Sequence, residues 1–260
     1  MKICVLIKQV PNEDAIIKIS QDEKSIVEDN LIYCTNEPDT YALEEALLIK
    51  ELNDDSEVVV FTLGGESASQ ILKEALAKGA DRAIFINDDS LSDLDPLNIS
   101  KIISKVLEKE NFDLILSGLQ SDDDGHAQTG LIIAELLNMT HASLVVGTQL
   151  LDNNRIKVKK ELESGWFQWT QMNLPASISI QSGLNKPRYA SLRGIMGAKK
   201  KTIDVYNLEN LDMEKPNSLT TINKMYVPEK SKETRYIDGD TDTIVNELIR
   251  ILRDEIKVIN

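Results

Sequence analysis

The first half of the chain contains short, uninterrupted apolar runs, and amphipathic segments lie between them. The runs occupy residues 3–7, 58–63, 83–86 and 114–116. An unbroken apolar run of this length is typical of a parallel strand that helices cover on both faces. Apolar residues at helical spacing lie between the runs: Leu43, Ala46 and Leu47; Ile71, Leu72, Ala75 and Leu76; and Ile99, Ile102, Ile103, Val106 and Leu107. This order predicts an α/β fold with a doubly wound, mostly parallel sheet, which binds ligands beyond the carboxyl ends of its strands.

Two helix boundaries are predicted from capping residues. Asp95 can accept hydrogen bonds from free backbone N–H groups and Pro96 suits the first helical position, so a helix is predicted to begin there. Gly79 predicts the end of the preceding helix, because glycine readily adopts the conformation in which many helices terminate.

The pattern changes after residue 137, where alternating or continuous apolar stretches follow one another without helical spacing. Asn153-Asn154 and Ser164-Gly165 predict tight turns between some of them. Strands are therefore predicted at residues 144–151, 155–161, 166–172 and 176–180.

The chain is predicted to divide into an α/β domain of residues 1–206 and a C-terminal arm of residues 207–260. The arm is polar up to residue 239, contains Pro216 and Pro228, and shows no sustained period. An amphipathic helix, opened by Asp240 or Thr241, is predicted from Ile244, Val245, Leu248, Ile249, Leu252 and Ile256. Its apolar face could pack on its own domain or on another subunit, and periodicity alone does not decide between the two.

Composition argues against two classes of partner. The 260 residues include 29 Lys and Arg against 43 Asp and Glu, a net charge of −14, which repels nucleic-acid phosphates and anionic lipids. No stretch approaches the roughly 18 apolar residues of a transmembrane helix, so membrane insertion is not expected. Cys4 and Cys34 lack disulfide-framework or metal spacing, and the N-terminus lacks a secretory cleavage site, which together favour the cytoplasm.

Catalysis finds little support in the residues. His126 and His141 are the two histidines, and neither belongs to a Ser, His and Asp set or to a His and Cys cluster with usable spacing. No catalytic residue and no metal site is therefore predicted. The chain also lacks a Walker loop and a G-x-G-x-x-G fingerprint, which argues against ordinary nucleotide hydrolysis and nicotinamide binding.

Two loops follow predicted strands and precede predicted helices, where backbone N–H groups can receive phosphate. The first contains Gly64-Gly65, and a turn that merely ends a strand is the favoured interpretation there. The second, residues 118–129, carries Asp122, Asp123 and Asp124. These carboxylates would repel a phosphate, so they are expected to face ribose hydroxyls, backbone donors or a cation, leaving the phosphate to residues 125–129. The alternative is an acidic capped turn.

Several segments together resemble the electron-transfer flavoprotein beta-subunit family. They follow one another over nearly the first 205 residues. The segments are Lys2-Ile3-Cys4-Val5-Leu6-Ile7-Lys8-Gln9-Val10-Pro11; Asn36-Glu37-Pro38-Asp39 with Ala42-Leu43-Glu44-Glu45-Ala46; Ala75-Leu76-Ala77-Lys78-Gly79-Ala80-Asp81-Arg82; residues 118–130; and Leu184-Asn185-Lys186-Pro187-Arg188-Tyr189-Ala190-Ser191-Leu192-Arg193-Gly194-Ile195-Met196, leading into Ala198-Lys199-Lys200-Lys201.

The resemblance implies an adenine-nucleotide-hydrolase-like fold and a non-catalytic electron-carrier subunit. It implies an obligate heterodimer in which an alpha subunit holds most of the FAD and this chain buries AMP, while residues 207–260 embrace the alpha subunit. By matching positions, the AMP contacts are Leu6, Asn36, Glu37, Pro38, Asp39, Leu63, Gly118, Leu119, Gln120, Ser121, Asp122, Asp123, Asp124, Gly125, His126, Ala127, Gln128 and Thr129.

The family's recognition loop, which inserts an apolar anchor into partner dehydrogenases, matches residues 185–201. An exposed leucine within a basic rim suits transient docking of flavin-containing dehydrogenases. The apolar side chain contributes binding energy, while the surrounding charges orient the partner. Without the resemblance, a loop packed on its own domain is the favoured reading. The implied docking residues are Arg188, Tyr189, Leu192 at the anchor position, Arg193, Ile195 and Met196.

The chain departs from the family pattern in places. Pro38-Asp39 is shifted relative to the usual Asn-Pro start, Ser121-Asp122-Asp123 replaces the commoner Ala-Ile-Asp, and Gly197 replaces a usual lysine. Residues 186–193 and 225–230 are similar to the branch that serves trimethylamine and dimethylamine dehydrogenases, which implies a role in methylamine metabolism.

Two other functions remain open. A bifurcating relative would hold a second FAD in place of AMP, and identifying the bound nucleotide distinguishes it. A stand-alone ATP-binding stress-type protein would form a stable homo-oligomer without flavin, and the long C-terminal arm argues against it.

Overall fold

The computed structural model describes residues 1–91, 93–229 and 234–259. Within these ranges the strands are β1 (Lys2–Leu6), β2 (Gln9–Pro11), β3 (Tyr33–Thr35), β4 (Glu57–Gly64), β5 (Arg82–Asn87), β6 (Leu114–Gly118), β7 (Thr140–Leu151), β8 (Arg155–Glu161), β9 (Phe167–Asn173), β10 (Ala176–Ile180) and β11 (Ile203–Tyr206). The α-helices are α1 (Glu37–Glu51), α2 (Ser69–Lys78), α3 (Pro96–Leu107), α4 (Thr129–Leu136), α5 (Leu192–Ala198) and α6 (Thr241–Arg250).

One large sheet runs through the molecule in the order β11-β5-β4-β1-β6-β10-β7-β8-β9. Neighbouring strands are parallel from β11 to β7, while β8 and β9 continue the sheet as antiparallel strands. The short strands β2 and β3 pair separately. The predicted α/β fold with a mostly parallel sheet is therefore confirmed.

Helices cover both faces of this sheet, because alternate strand residues point to opposite sides. Ile3 and Val5 of β1 belong to the apolar cluster that includes α1 and α2, whereas Cys4 belongs to the cluster that includes α3 and α4. This two-sided burial explains the unbroken apolar runs of the central strands, and it confirms the doubly wound arrangement.

The capping predictions are confirmed. The Asp95 side chain accepts a hydrogen bond from the Asn98 N–H at 2.9 Å, at the start of α3. Gly79 follows α2 with a φ of +138°. Asn153 and Asn154, both with positive φ, form the turn between the antiparallel strands β7 and β8.

Several elements escaped the sequence analysis. The strands β2 and β3 and the hairpin-like excursion of residues 12–32 between them carry too few apolar residues to show a period. The edge strand β11 was missed for the same reason. Helix α5 lies within the segment that was expected to be a recognition loop, since its two glycines weaken the helical pattern.

The C-terminal arm starts against the α/β domain. Leu208 and Leu211 are buried in the cluster on the α3 side, and the N–H of Leu219 donates to the Asp95 carboxylate. Farther on, the Met225 N–H donates to the Glu23 carbonyl at 2.6 Å. Lys230, which belongs to the segment resembling the methylamine branch, lies outside the described residues, as do residues 231–233 within the arm.

The predicted amphipathic helix near the C-terminus is confirmed as α6, capped by Asp240, whose side chain accepts from the Thr243 N–H. A π-helical turn, Ile251–Glu255, continues it. None of the residues of α6 is buried. Among the helices in the described ranges, none has the length and apolar character needed to cross a bilayer.

Gly79→Ala is expected to lower the unfolding free energy by about 1–2 kcal/mol, because a side chain disfavours positive φ. The added Cβ would also lie 3.2 Å from Leu47 Cδ2. Urea denaturation measures the change. Gly197→Ala is the matched control, since a Cβ there meets nothing within 4 Å and the residue is helical. Equal stability of the two variants would contradict this account of Gly79.

Candidate functional site

The order of the sheet reverses between β1 and β6. From β1 the chain moves outward to β4 and β5 on one side, and then crosses to β6 on the other side of β1. The two connections leave a crevice at the carboxyl ends of β1 and β6, the position at which open α/β sheets bind ligands. The candidate site lies in this crevice.

The buried carboxylate of Asp39 joins three elements at the crevice. One oxygen accepts the Gly118 N–H at 2.8 Å, and the other accepts the Lys8 N–H at 2.7 Å. Asp39 lies in the first turn of α1, so it ties this helix to the ends of β1 and β6. Gly118 leaves no room for a side chain, since a Cβ there would lie 2.6 Å from Pro38 Cβ.

Asn36 and Glu37 connect the start of α1 to residues 119–128, which we term the acidic loop. The Asn36 side chain donates to the Gln120 carbonyl at 3.0 Å and accepts the Asp122 N–H at 2.9 Å. The Glu37 N–H donates to the Asp122 carboxylate at 3.1 Å. The structure therefore brings together Asn36, Glu37, Pro38 and Asp39 with the first half of the acidic loop.

Lys8 supplies the cation that the acidic loop requires. Its ammonium group contacts the carboxylates of Asp123 and Asp124, each at 2.7 Å. Burial alone would lower the pKa of Lys8, but its hydrogen bonds to these carboxylates raise it. Burial would likewise raise the pKa of Asp123, yet the hydrogen bonds from Lys8 and Ser121 hold it below its usual range. Sequence reasoning missed the role of Lys8, although its place directly after β1 was a usable signal.

The second half of the acidic loop leads into the N-terminus of α4. Gly125 and Ala127 have φ values of +62° and +55°. Gly130 brings the helix start against β6, since a Cβ there would lie 2.7 Å from Ser117 Oγ. The Leu131 and Ile132 N–H groups both donate to the Gln128 carbonyl. The N–H groups at the very start of a helix have no carbonyl one turn earlier, and they form a partial positive charge that suits a phosphate. His126, Gln128 and Thr129 belong to this same stretch.

Leu6 ends β1, and Leu63 lies one residue before the end of β4, at the same edge of the sheet. Leu6 is buried, while Leu63 is half-buried against the α3 side. The neighbouring Gly64-Gly65 turn is less suited to an anion, because the Asp89 carboxylate lies where a Gly65 side chain would be. This contact favours the interpretation of a turn that ends the strand.

A cleft of about 270 Å³ adjoins the start of α1 and the acidic loop. Sequence reasoning missed most of its walls, because β2, β3 and the residues that follow β2 were not recognised as structure. It is lined by Pro11, Asn12, Glu13, Asp14, Cys34, Thr35, Glu37, Thr40 and Asp122.

The two histidines lie on different elements. His141 Nε2 lies 3.0 Å from the exposed Glu135 carboxylate, whereas His126 belongs to the acidic loop. Within the described ranges, no three His, Cys, Asp or Glu side chains are placed to hold a metal ion.

The implied docking residues lie at or near α5, a separate surface. Tyr189 is 93% exposed, Leu192 77% and Met196 67%, and Arg193 and Ile195 are also exposed.

Arg188 differs from these neighbours. Its guanidinium contacts the buried Glu44 carboxylate at 2.9 Å and Glu51 at 2.6 Å, and these hydrogen bonds raise the pKa of Arg188. The structure thus gives Arg188 an internal role, holding the chain before α5 against α1.

Residues 25–211 match the family model described as the electron transfer flavoprotein domain. The chain belongs to the electron transfer flavoprotein family. The electron transfer flavoprotein subunit beta of Methylophilus methylotrophus is 38% identical over 98% of this chain and 98% of its own length. The beta subunit of Bacillus subtilis (strain 168) is 33% identical over 100% of both chains, and that of Homo sapiens is 32% identical over 89% of this chain and 91% of its own.

These full-length similarities support a beta-subunit role for the flavoprotein chain, as the sequence resemblance implied. Its relatives are subunits of electron carriers. The residues that match the family model include β6, the acidic loop and α5, whereas β1 precedes them.

The pH dependence of stability tests the setting of Asp39 in the flavoprotein chain. Burial raises the pKa of Asp39 to about 7, although hydrogen bonds from the Lys8 and Gly118 N–H groups oppose the rise. An unfolded aspartate has a pKa of about 4. The folded state therefore holds this proton more tightly, so the contribution of Asp39 is fully present below about pH 4 and is lost as pH rises toward 7.

Asp39→Asn removes this titration. Urea denaturation measures the difference in unfolding free energy between the wild type and Asp39→Asn. This difference, wild type minus variant, is expected to decrease as the pH rises from 5 to 8. A difference that stays constant over this range would show that Asp39 does not titrate there.

Proposed function

We propose that this chain binds AMP in the crevice at β1 and β6, pairs with an FAD-carrying alpha subunit, and docks flavin-containing dehydrogenases through the α5 surface. The observation that carries the AMP proposal is the pairing of Lys8 with Asp123 and Asp124 beside the N-terminus of α4. This pairing reduces the repulsion that the acidic loop would exert on an anionic ligand.

The crevice suits AMP in charge and in placement. The three loop carboxylates already contact donors of this chain: Asp122 accepts from the Glu37 N–H, and Asp123 and Asp124 accept from Lys8. A phosphate can then bind the N–H groups at the start of α4 while donors of this chain engage the loop carboxylates. Leu6 and Leu63 add apolar surface at the strand ends, which suits an adenine ring.

Pairing with an alpha subunit is supported by the C-terminal arm. Its apolar side chains are exposed, among them Ile222, Tyr226, Val227, Val245 and Leu248. Many exposed apolar side chains in one segment are typical of a protein interface. The arm is thus proposed to embrace the alpha subunit, in an obligate heterodimer.

FAD, when bound to the heterodimer, supplies the electron transfer. The residues of this chain hold AMP, bind the alpha subunit and position the dehydrogenase. We propose no catalytic residue in this chain. The two free cysteines, Cys4 and Cys34, are compatible with the cytoplasm that we propose as its compartment.

Docking through α5 is supported by the contrast between its exposed and anchored residues. Leu192, Ile195 and Met196 form an apolar tip, while Arg188 is fixed by Glu44 and Glu51. A rigid base under an apolar tip lowers the entropy cost of binding. Trimethylamine and dimethylamine dehydrogenases are the proposed donors, from the resemblance of residues 186–193.

The nucleotide released from the coexpressed heterodimer tests the main proposal. One AMP and one FAD per heterodimer are expected, whereas two FAD would identify a bifurcating protein. Lys8→Met should weaken AMP binding about tenfold, equivalent to ~1.4 kcal/mol, because the acidic loop loses its cation. Lys50→Met is the matched control, since its ammonium contacts Asp81 at the far end of α1. Unchanged AMP affinity in Lys8→Met would contradict the proposed site.

Leu192→Ala tests the docking surface. It is expected to slow reduction of the heterodimer by its dehydrogenase about tenfold, because a central apolar anchor is typically worth about 1–2 kcal/mol or more. The flavin absorption spectrum should stay unchanged. Ile16→Ala removes a similarly exposed side chain, 82% accessible, from another surface and should leave the rate unaltered. Equal rates for the wild type and Leu192→Ala would show that α5 does not dock the donor.

A further inference from the structure

The Asp95 carboxylate at the start of α3 uses its two oxygens for different purposes. Oδ1 accepts the Asn98 N–H at 2.9 Å, which caps the helix. Oδ2 accepts the Leu219 N–H and lies 3.2 Å from the Ser218 hydroxyl. A helix cap needs only one carboxylate oxygen. The second oxygen of Asp95 therefore binds the C-terminal arm.

Asn98, in the first turn of α3, adds to this contact. Its side-chain N–H groups donate to the Asn217 carbonyl at 2.9 Å and to Asp95 Oδ2 at 3.0 Å. The Asp95 N–H also donates to the Ser218 hydroxyl at 3.2 Å. Asp95 is 6% exposed and Asn98 4%. We term Asp95, Asn98 and residues 217–219 the arm clasp.

The arm clasp depends on the negative charge of Asp95. The N–H groups of Leu219 and Asn98 hold the pKa of Asp95 below its usual range. The carboxylate is therefore ionised at neutral pH, and both of its oxygens act as acceptors. Hydrogen bonds to a charged group are stronger than those between neutral groups.

The arm clasp lies where the C-terminal arm stops being buried. Before the clasp, Leu208 and Leu211 are buried in the core on the α3 side. From the clasp onward the large apolar side chains are exposed: Leu219 by 73%, Ile222 by 51%, Tyr226 by 71% and Val227 by 76%. The clasp thus separates the part of the arm that packs on the α/β domain from the part that presents apolar side chains.

A second contact gives the exposed part of the arm a direction. The Met225 N–H donates to the Glu23 carbonyl, and Lys224 Nζ lies 3.1 Å from the Glu23 carboxylate. The arm therefore runs from the start of α3 to the excursion of residues 12–32. Because the Lys224 and Glu23 side chains are both more than half exposed, their ion pair contributes little by itself. The buried arm clasp is the stronger of the two attachments.

We propose that Asp95 and Asn98 are positioning residues for assembly: they fix where the C-terminal arm leaves the α/β domain and hold its apolar part ready for the alpha subunit. This inference rests on the proposed heterodimer, in which the arm embraces the alpha subunit. A segment that is already in place loses less conformational entropy when it binds. Assembly is therefore faster when the arm clasp is intact.

Asp95→Asn separates the arm clasp from the helix cap. Asparagine caps a helix about as well as aspartate, so its oxygen still accepts the Asn98 N–H. Its amide nitrogen replaces Oδ2 and cannot accept from Leu219 or Ser218. Association of the full-length chain with the alpha subunit, followed by stopped-flow mixing, should slow about tenfold.

Asp88→Asn is the matched control for this substitution. It also removes one carboxylate, but the Asp88 side chain accepts the Ser90 N–H at 3.0 Å within its own loop. Its association rate should equal that of the wild type. Amide hydrogen exchange reports the local change: the Leu219 amide should exchange roughly tenfold faster in Asp95→Asn, while the Asn98 amide stays protected by the retained cap.

Asn98→Leu provides a second variant, in case asparagine at position 95 impairs folding. It leaves the Asp95 carboxylate in place and removes the donor to the Asn217 carbonyl. It should also slow association.

Deletion of residues 220–260 shows whether Asp95 acts through the arm. In the shortened chain, Asp95→Asn should have no further effect on association. An equal slowing in the shortened chain and in the full chain would overturn the inference, because Asp95 would then act through the α/β domain alone. If the shortened chain does not pair measurably, the comparison of the full-length variants decides.

The outcomes separate this inference from the proposed function. Slower association of Asp95→Asn or Asn98→Leu, with Asp88→Asn unchanged, would support the arm clasp. Wild-type association rates in both clasp variants would overturn its role in assembly while the heterodimer stands. Failure of the wild-type chain to pair with an alpha subunit would overturn the proposed function itself.

Discussion

The crevice depends on a single buried carboxylate. Asp39 lies in the first turn of α1 and accepts backbone hydrogen bonds from the ends of both β1 and β6. Because these strands lie on either side of the point where the sheet order reverses, Asp39 sets the distance across the crevice. Gly118 permits this contact, since any side chain there would collide with Pro38 and Asp39. The acidic loop can then be held in place by Asn36 and Lys8.

The electrostatics of the site follow from the way Asp39, Asn36 and Lys8 hold the acidic loop. An acidic chain with a net charge of −14 presents an aspartate-rich loop where an anionic ligand is proposed to bind. Lys8 and backbone N–H groups engage these carboxylates, and the start of α4 is left to receive negative charge. The ligand surface and the partner surfaces are thus distinct. The crevice is bordered mainly by polar residues of the acidic loop and the start of α1, whereas α5, the arm and β9 expose apolar side chains.

Much of the fold could be predicted from local pattern. Buried strands such as β1 and β4, the Asp95 cap, the Gly79 terminus and the Asn153-Asn154 turn all follow from residues that are close in sequence. The short strands β2, β3 and β11 could not be predicted in this way, because their stability comes from neighbours that are distant in sequence rather than from a period of their own. Helix α5 escaped for a similar reason: its close packing on α2 at Gly194 compensates for a weak helical pattern.

The sequence by itself determined the fold class, the family resemblance and the stretch that holds the acidic loop, because apolar period, capping chemistry and motif order are properties of neighbouring residues. Only the tertiary structure decided that Lys8 pairs with Asp123 and Asp124, that Arg188 anchors the chain before α5, and that β9 lies at an edge of the sheet. Each of these depends on which strands and helices become neighbours. Pairing across more than a hundred residues of chain is set by the packing of the whole sheet, and no local pattern encodes it.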